Sequence, residues 1–341
     1  MKILFYINSP SSYQFEFYKS LKKHKINFHV IFHNKKIKNF NWEFKKYNWY
    51  TCLNQKNKKN HFLKIIKKIN PNVIIIGGYN LEFNNLMYKF PDLKKIYWLE
   101  RVNEKNIIKK FLRRKILSNR LKDASAILAI GENAKKFYSK FNKNVFNLPY
   151  SISPFKSDIK KKIKPTLNFL FVGQLIERKG LKNLLNVLKN NNFNNSKFTI
   201  VGSGPLKQEI KKISNAKKNI KYFDFINKKK LNYIYSQNDI LVLLSNFDGW
   251  GVVVVEAMSK KLAIISSKSV GASIEFIKNK YNGIIIDNNE QSIINAINYC
   301  SNNIKKIRKW GTINRNLFQK SLCNSINASN KFKKIISNLK K

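Results

Sequence analysis

Two carboxylates, Asp248 and Glu256, flank a segment whose composition suits a polar ligand. Asp248 follows an apolar run at residues 239–245, which the pattern predicts to be a buried strand. Glu256 begins Glu-Ala-Met-Ser-Lys, a typical helix composition. Between them, Gly249 and Gly251 would let the backbone turn tightly and approach a ligand closely. Because a carboxylate in apolar surroundings is costly without hydroxyls or a cation, the pair predicts a polyhydroxylated ligand.

A second segment, Val172-Gly-Gln-Leu-Ile-Glu-Arg-Lys-Gly180, predicts an anion site. Its glycines frame a loop that carries Arg178 and Lys179 directly before a helix predicted to start near Leu181. Cationic side chains and the free N–H groups of a helix N-terminus together suit a diphosphate. The alternative interpretation is an exposed basic turn, but such a turn would not require glycine at both ends.

The elements that must position these residues alternate between strand and helix in both halves of the chain. Apolar runs at residues 2–7, 28–32 and 73–78 predict strands, with helical periodicity between them. The same alternation resumes at residues 168–173. This repeated order predicts an α/β fold with parallel sheets.

A third loop, Gly202-Ser-Gly-Pro-Leu206, follows a predicted strand at residues 197–202. It is similar to a dinucleotide-binding loop, but Lys207 stands where the third glycine of Gly-x-Gly-x-x-Gly would be. Alone, the loop is a weak indication of a phosphate at a helix N-terminus.

Together these segments resemble the retaining, nucleotide-sugar-dependent glycosyltransferases of group 1, or family 4. The resemblance spans residues 168–286, whereas the first half matches only in outline. It rests on segments in family order and spacing, at residues 172–180, 200–206, 245–258, 265–271 and 282–283. The implied fold is GT-B, in which two Rossmann-like domains face each other across a cleft.

The resemblance also implies a role for each motif residue. Asp248 takes the first place of the family's Glu-x7-Glu motif and would contact the donor sugar. Glu256 takes the second place and would bind the ribose hydroxyls, while Lys179 would neutralise the leaving diphosphate. Arg178 would supply the charge of an arginine that family members have where this chain has glutamine. Further donor contacts are implied for Gly173, Gln174, Gly202, Gly204, Gly249, Trp250, Gly251 and Val252.

The implied mechanism breaks the bond between the anomeric carbon of the sugar and a nucleoside diphosphate. Retention follows if the acceptor hydroxyl attacks the face that the diphosphate leaves, with a phosphate oxygen as the base. No metal or other cofactor is expected. Glu100 ends a predicted strand where family members often have a histidine, so it is the candidate catalytic residue of the first domain.

Composition indicates where the domains divide. Residues 151–166 contain two prolines and a lysine cluster with few apolar residues, which is typical of a linker. We predict an acceptor-side Rossmann-like domain at residues 1–155 and a Rossmann-like nucleotide-sugar-binding domain at residues 156–310. The helical segment at residues 311–341 is expected to be able to cross back onto the first domain.

The formal net charge of +49, from 67 basic and 18 acidic residues, indicates either an anionic partner or a biased composition. Lysines occur in every segment, whereas nucleic-acid-binding proteins usually concentrate their charge in a stripe or tail. This distribution disfavours nucleic acid as the partner, although diffuse charge would still attract an anionic membrane surface. The basic amphipathic segment 105–122 predicts a helix that packs on the sheet or lies on a membrane.

Three cysteines without metal-type spacing, Cys52, Cys300 and Cys323, fit reduced thiols in a cytosolic protein. The apolar stretch at residues 3–7 is too short for a signal peptide, and no run approaches the roughly 18 residues of a membrane span. We therefore predict a cytoplasmic protein, at most peripheral to the inner face of the membrane.

The favoured function is transfer of a sugar from a nucleoside-diphosphate sugar to a glycan or lipid-linked acceptor in surface polysaccharide synthesis. One alternative keeps the fold and changes the chemistry to that of a nucleotide-sugar epimerase or phosphorylase. The other alternative is a basic nucleic-acid-binding protein.

Overall fold

The computed structural model describes residues 1–35, 45–78, 86–102, 117–154 and 165–339. The chain divides into two compact units, the first made of Met1–Ser153 with Ser325–Lys341 and the second of Pro154–Asn324. Most of the basic segment 105–122 and most of the predicted linker 151–166 lie outside the described residues.

The first unit is built on a seven-stranded parallel sheet of order β3-β2-β1-β4-β5-β6-β7. The central strands are apolar runs, and all five residues of β1 are buried. Burial on both faces is expected for a parallel sheet, because its crossover helices cover both sides. The strands are β1 (Ile3–Ile7), β2 (Phe28–Phe32), β3 (Tyr50–Cys52), β4 (Val73–Gly77), β5 (Lys94–Leu99), β6 (Ala126–Ala129) and β7 (Val145–Asn147).

The helices that connect these strands within the described ranges include α1 (Ser12–Lys23), α2 (Lys58–Ile69) and α3 (Glu132–Tyr138). In α1, Phe17 and Leu21 lie four residues apart and are buried, which is the spacing of one helix face. The side chain of Asn57 accepts a hydrogen bond from the backbone N–H of Asn60 and so caps the start of α2.

Strand β3 is absent from the sequence prediction, because its neighbourhood has an irregular aromatic pattern. The strand is only three residues long and pairs with β2 through Val30 and Tyr50. Its aromatic neighbour Trp49 is buried and packs against Phe15, with ring centroids 5.3 Å apart. Pairing with a strand distant in sequence stabilises β3, and local periodicity does not reveal such pairing.

The second unit contains a six-stranded parallel sheet of order β10-β9-β8-β11-β12-β13. Counted from β8, this order is 3-2-1-4-5-6, the arrangement of the dinucleotide-binding Rossmann fold. The first six strands of the first unit have the same order. The strands are β8 (Leu167–Val172), β9 (Ser196–Val201), β10 (Ile220–Phe223), β11 (Ile240–Leu243), β12 (Ala263–Ser267) and β13 (Gly283–Ile286).

One helix of this unit begins earlier than its sequence suggests. The helices are α4 (Leu181–Asn190), α5 (Lys207–Ala216), α6 (Lys228–Gln237), α7 (Val252–Ser259), α8 (Gly271–Phe276), α9 (Glu290–Asn302) and α10 (Ile304–Lys320). Helix α7 includes all four valines at residues 252–255, although β-branched residues favour strands. Val254 and Val255 are buried in the core, and this packing outweighs their weak helix propensity.

The structure places the predicted boundary at residues 310/311 inside α10, so that boundary is wrong for this helix. Trp310 and Phe318 are buried, and the Asn314 side chain donates to the backbone oxygen of Leu262, 2.9 Å away. These contacts fix α10 to the second unit along its whole length. The following helix, α11 (Ser325–Asn338), belongs instead to the first unit.

Candidate active site

The candidate site lies where two loops of the second unit follow the neighbouring strands β8 and β11. From β8 the chain passes to β9 on one side, and from β11 it passes to β12 on the other. Ligands of open α/β sheets bind at such a switch point, outside the carboxyl ends of the strands. The predicted diphosphate loop follows β8, and the loop with Asp248 follows β11.

Lys179 and Asp248 meet at this point, although they are 69 residues apart in sequence. Lys179 ends a short 3-10 turn, Glu177–Lys179, and its ammonium donates a hydrogen bond to Asp248 Oδ2. Their side chains are 15% and 13% exposed, so water screens the pair less than it would a surface pair. The structure thus brings together a cation and a carboxylate that the sequence places in separate motifs.

Arg178 joins the same two loops from the outside. Its exposed guanidinium donates to the backbone oxygen of Phe247, 2.7 Å away, and its own carbonyl accepts from Asn246 N at 2.9 Å. Both contacts hold the loop that carries Asp248. The guanidinium has further N–H donors, so its predicted role at the diphosphate stays a prediction.

The backbone around Asp248 is fixed by the loop that follows β12. Asp248 N donates to Ser269 O at 3.1 Å, and Gly271 N donates to Asp248 O at the same distance. Ala272 N donates to Trp250 O at 2.7 Å. These hydrogen bonds tie the loop to α8, so the Asp248 carboxylate stands on an ordered backbone.

Helix α7 begins directly after this loop, at Val252. Gly251 starts it with φ of +86°, a left-handed conformation that glycine adopts without strain. The first N–H groups of a helix have no acceptor within it, and they carry a partial positive charge. The start of α7 therefore offers the backbone donors for an anion beside Lys179.

Glu256 lies one turn into α7 and is partly buried. The hydroxyl of Tyr235, on α6, donates to Glu256 Oε2 at 2.9 Å. Burial raises the pKa of Glu256, while the Tyr235 hydrogen bond and the charges of Lys228 and Lys260 lower it. Nothing in the sequence pattern indicates Tyr235, which precedes Glu256 by 21 residues and lies in no motif.

Trp250 contributes to the site through its backbone rather than its side chain. The indole is 2% exposed and packs edge to face on Phe276, with ring centroids 6.1 Å apart. This leaves only the backbone of Trp250 for the predicted donor contact. The side chain instead anchors the glycine-containing turn in the core.

The predicted donor residues of the loops after β8 and β9 lie against one another. A Cβ atom on Gly202 would stand 1.8 Å from Gly173 O, and one on Gly204 would stand 2.7 Å from Leu175 O. Leu175 N also donates to Ser203 O at 3.0 Å. Only residues without a side chain allow this approach, and the half-buried Gln174 lies within the same turn.

Asp224 and Lys207 form an ion pair next to these loops, and no sequence signal indicates it. Asp224 follows β10, and Lys207 opens α5. The hydrogen bond from Lys207 lowers the pKa of Asp224. The Ser203 side chain, in the loop that contains Gly202, also hydrogen-bonds to Asp224.

Comparison with known proteins identifies the second unit. Residues 154–317 match the family model described as "Glycosyl transferases group 1". Residues 154–317 form a group 1 glycosyl transferase domain. This domain contains every predicted site residue except Glu100, and the resemblance to group 1 glycosyltransferases noted in the sequence is confirmed.

Curated relatives of the group 1 domain include an uncharacterized glycosyltransferase of Methanocaldococcus jannaschii, 27% identical over 48% of this chain and 51% of its own length. Another is UDP-Gal:alpha-D-GlcNAc-diphosphoundecaprenol alpha-1,3-galactosyltransferase of Escherichia coli, 30% identical over 42% and 39%. The chain spans about half the length of the first of these relatives, and less of the second.

The fold of the whole chain is similar to that of solved structures. HepE of Anabaena in complex with UDP has a TM-score of 0.77 and 14% identity, with coverage of 99% of this chain and 100% of that one. At this identity the likeness concerns the fold. The predicted GT-B class of α/β fold, with two Rossmann-like domains, is confirmed.

Glu100 lies in the first unit, apart from the group 1 domain. It is an exposed residue directly after β5, as its position in the sequence predicts. Its carboxylate is hydrogen-bonded to the Tyr150 side chain, and its backbone oxygen accepts from Tyr138 Oη at 2.8 Å. Burial raises the pKa of Tyr150 well above 10.0, and the charge of Glu100 contributes to the same shift. The predicted catalytic role of Glu100 stays a prediction.

Within the described ranges, no group of three or more His, Cys, Asp or Glu side chains could hold a metal ion. The expectation that catalysis needs no metal stays a prediction. No helix among these residues is both long and apolar enough to cross a membrane.

Proposed function

We propose that this protein is a retaining glycosyltransferase that moves a sugar from a nucleoside-diphosphate sugar to a glycan or lipid-linked acceptor. The observation that carries the proposal is the convergence of Lys179, Asp248 and the start of α7 at one switch point. Glu256 follows on the same helix. One ligand accounts for all four, because it combines a diphosphate with sugar hydroxyls.

The donor is expected to lie along the first turn of α7. Its diphosphate would meet Lys179 and the helix N-terminus, which together offer an ammonium and backbone N–H groups. Glu256 follows Val252 by four residues, about 6 Å along the axis at about 1.5 Å per residue. That span is comparable with the separation between the diphosphate and the ribose of one nucleotide. The carboxylate would accept hydrogen bonds from the ribose hydroxyls.

The chemical step separates charge at the donor. The anomeric carbon–oxygen bond breaks, and its electron pair stays on the diphosphate oxygen. Lys179 would exchange its hydrogen bond from Asp248 to that oxygen, where it stabilises the developing negative charge. Asp248 would then be released to contact the donor sugar.

Retention would follow from attack on the face that the diphosphate leaves. The acceptor oxygen forms a new bond to the anomeric carbon, and its proton passes to an oxygen of the departing diphosphate. This route uses the phosphate as the base. Glu100 is the candidate substrate-positioning residue of the first unit.

The acceptor and cellular location belong to the same proposal. The Escherichia coli relative is named for a lipid-linked diphosphoundecaprenol acceptor, which supports an acceptor of that class in surface polysaccharide synthesis. A net charge of +49 would favour approach to an anionic membrane from the cytoplasmic side. No nucleic acid is part of the proposed function.

A donor screen tests this function. Thermal shift of the full chain with UDP-, GDP- and ADP-sugars is expected to show stabilisation by one of these donors. With that donor, a glycan or lipid-linked acceptor should gain a sugar in the starting anomeric configuration, as determined by NMR. Asp248→Asn and Glu256→Gln should each lose transfer. Full transfer activity in either variant would refute the proposed roles.

Two further measurements test whether the protein is an epimerase and whether the reaction needs a metal. An epimerase would alter the donor sugar without an acceptor, so incubation with the donor alone should leave that sugar unchanged. Because the proposed mechanism uses no metal, chelation with EDTA is expected to leave the transfer rate unchanged.

A further inference from the structure

Tyr235 lies outside the motif segments of the group 1 domain. It contacts Glu256, the carboxylate proposed to bind the ribose. The side chain is 1% exposed, and its hydroxyl donates to Glu256 Oε2 at 2.9 Å. The charges of Lys228 and Lys260 also act on the Glu256 carboxylate. One carboxylate oxygen, Oε2, is held by a buried phenol. The other oxygen, Oε1, is the acceptor that the proposal below assigns to the ligand.

The protonation states of the two groups suit this arrangement. Burial and the nearby Glu256 raise the pKa of Tyr235 well above 10.0, so the phenol keeps its proton and acts as a donor. Burial also raises the pKa of Glu256, and the Tyr235 hydrogen bond opposes that rise. The tyrosine thus favours the charged form of a carboxylate that would otherwise retain a proton more readily.

A carboxylate that binds ribose must be both oriented and ionised. A hydrogen bond to Oε2 restricts rotation of the carboxylate group, so Oε1 keeps a fixed orientation. Ionisation makes Oε1 a strong acceptor for a hydroxyl donor. Tyr235 supplies both conditions through a single contact.

We propose that Tyr235 is a positioning residue for the nucleotide donor. Its hydroxyl fixes Oε2 of Glu256 so that Oε1 accepts hydrogen bonds from the 2′- and 3′-hydroxyls of the ribose. The inference rests on the proposed function, because it assumes that Glu256 binds ribose.

A pair of nucleotides that differ only at the ribose isolates this role. Calorimetry of the full-length protein would use whichever of UDP, GDP and ADP it binds most tightly, together with the 2′,3′-dideoxy form. The wild type is expected to bind the ribonucleotide at least about tenfold more tightly, since hydrogen bonds to a charged group contribute about 1.5–3 kcal/mol. In Tyr235→Phe, affinity for the ribonucleotide should fall towards that of the dideoxy form, whose affinity should not change.

A merely structural tyrosine would give another result. Its loss would weaken both nucleotides equally or neither, and undiminished ribose discrimination in Tyr235→Phe would overturn the proposal. Tyr18→Phe is the matched control, because Tyr18 is equally buried and its hydroxyl has no hydrogen-bond partner among the described residues. It should bind both nucleotides as the wild type does. If Tyr235→Phe does not fold, Tyr235→Met replaces the ring with a smaller, flexible apolar side chain without a hydroxyl and carries the same expectation.

The pH dependence of binding provides a second measurement. Ribonucleotide affinity should weaken as pH falls through the pKa of Glu256, which lies above its ordinary value of 4.5. Without the Tyr235 hydrogen bond that pKa rises further, so the weakening in Tyr235→Phe should occur at higher pH. Identical pH profiles in the two proteins would contradict the proposal.

The proposed function and the positioning role fail in different ways. A wild-type protein that binds none of the three nucleoside diphosphates would refute the proposed function, and the role of Tyr235 with it. A wild type that discriminates by ribose, with a Tyr235→Phe variant that discriminates equally well, would refute only the role of Tyr235.

Discussion

The two units share a strand order, yet the carboxyl ends of their strands carry different chemistry. In the second unit, loops approach each other through glycines, and an ion pair lies beside a helix N-terminus. In the first unit, the corresponding edge carries aromatic rings and hydrogen bonds of tyrosine hydroxyls. Tyr6 Oη lies 2.6 Å from His33 Nδ1, and Tyr150 bonds to Glu100.

This difference follows from what each edge would bind under the proposed function. A diphosphate and a ribose are common to every nucleoside-diphosphate-sugar donor, so one arrangement of glycines, lysine and carboxylates would serve them all. Acceptors differ from one enzyme to the next, and their binding edge has no single chemistry. The family model accordingly matches residues 154–317 and not the first unit's sheet.

Replacement of Lys179 by alanine should have the largest effect. It tests most directly whether the edge of the second unit's sheet binds an anion. We expect kcat/KM for transfer to fall about 10²- to 10³-fold, because removal of one group that stabilises a developing anion costs about 2.7–4 kcal/mol. Lys182→Ala is the matched control, since its ammonium forms an exposed pair with Glu177 at 3.4 Å. It should retain the wild-type rate. A wild-type rate in Lys179→Ala would mean that the second unit's edge holds no anion.

The stability costs of two glycine-to-alanine substitutions show how tightly the edge of each sheet is packed. Gly202→Ala should lower the free energy of unfolding by about 2–3 kcal/mol, because its Cβ would lie 1.8 Å from Gly173 O. Gly78, after β4, has φ of +91°, and no atom of the described residues lies within 4 Å of such a Cβ. Gly78→Ala should therefore cost only the backbone strain, about 1 kcal/mol. Urea midpoints measure both, and equal costs would show that the two edges are packed alike.

Glu100→Gln tests whether the first unit's edge takes part in catalysis. We expect kcat to fall about tenfold, equivalent to one lost substrate hydrogen bond of about 1.4 kcal/mol. Nucleotide affinity should stay unchanged, because the residues proposed to bind the nucleotide belong to the second unit. Glu132→Gln serves as the control, since the exposed Glu132 accepts from Asn147 rather than from Tyr150. Unchanged kcat in Glu100→Gln would remove Glu100 from the mechanism.

The same contrast explains what can be predicted from the sequence. Long apolar runs such as β11 predict the strands, and glycines beside charged residues predict the donor loops. Those features are local, because a buried parallel strand and a phosphate loop each impose their pattern on consecutive residues. Motifs alone are therefore enough to predict that the loops after β8 and β11 carry the candidate site.

Features that depend on distant contacts cannot be predicted in this way. Tyr235 reaches Glu256 across 21 residues with no shared periodicity, and β3 exists because it pairs with β2. The valines of α7 favour a strand locally but form a helix because the core packs around them. Trp250 belongs to a motif, yet the direction of its side chain depends on where Phe276 lies.

Asp224→Asn should have the smallest effect. It compares an exposed ion pair of the second unit with the buried contacts at the same edge of the sheet. The side chains of Asp224 and Lys207 are 42% and 34% exposed, so solvent screens their ion pair. We expect a loss of less than about 1 kcal/mol in the free energy of unfolding at pH 7, as for other surface pairs. High salt should reduce the difference further.

The pH dependence of that small loss has a defined sign. Lys207 holds the pKa of Asp224 below its ordinary value of 3.8. The stabilisation is therefore present above pH 3.8 and is lost as pH falls through the lowered pKa. Urea midpoints of wild type and Asp224→Asn should differ at pH 7 and converge in acid. A loss as large as that of Gly202→Ala would show that Asp224 supports the loops of the candidate site. A small loss would mean that the loops at this edge depend on their glycine contacts and on the Lys179–Asp248 pair, and not on Asp224.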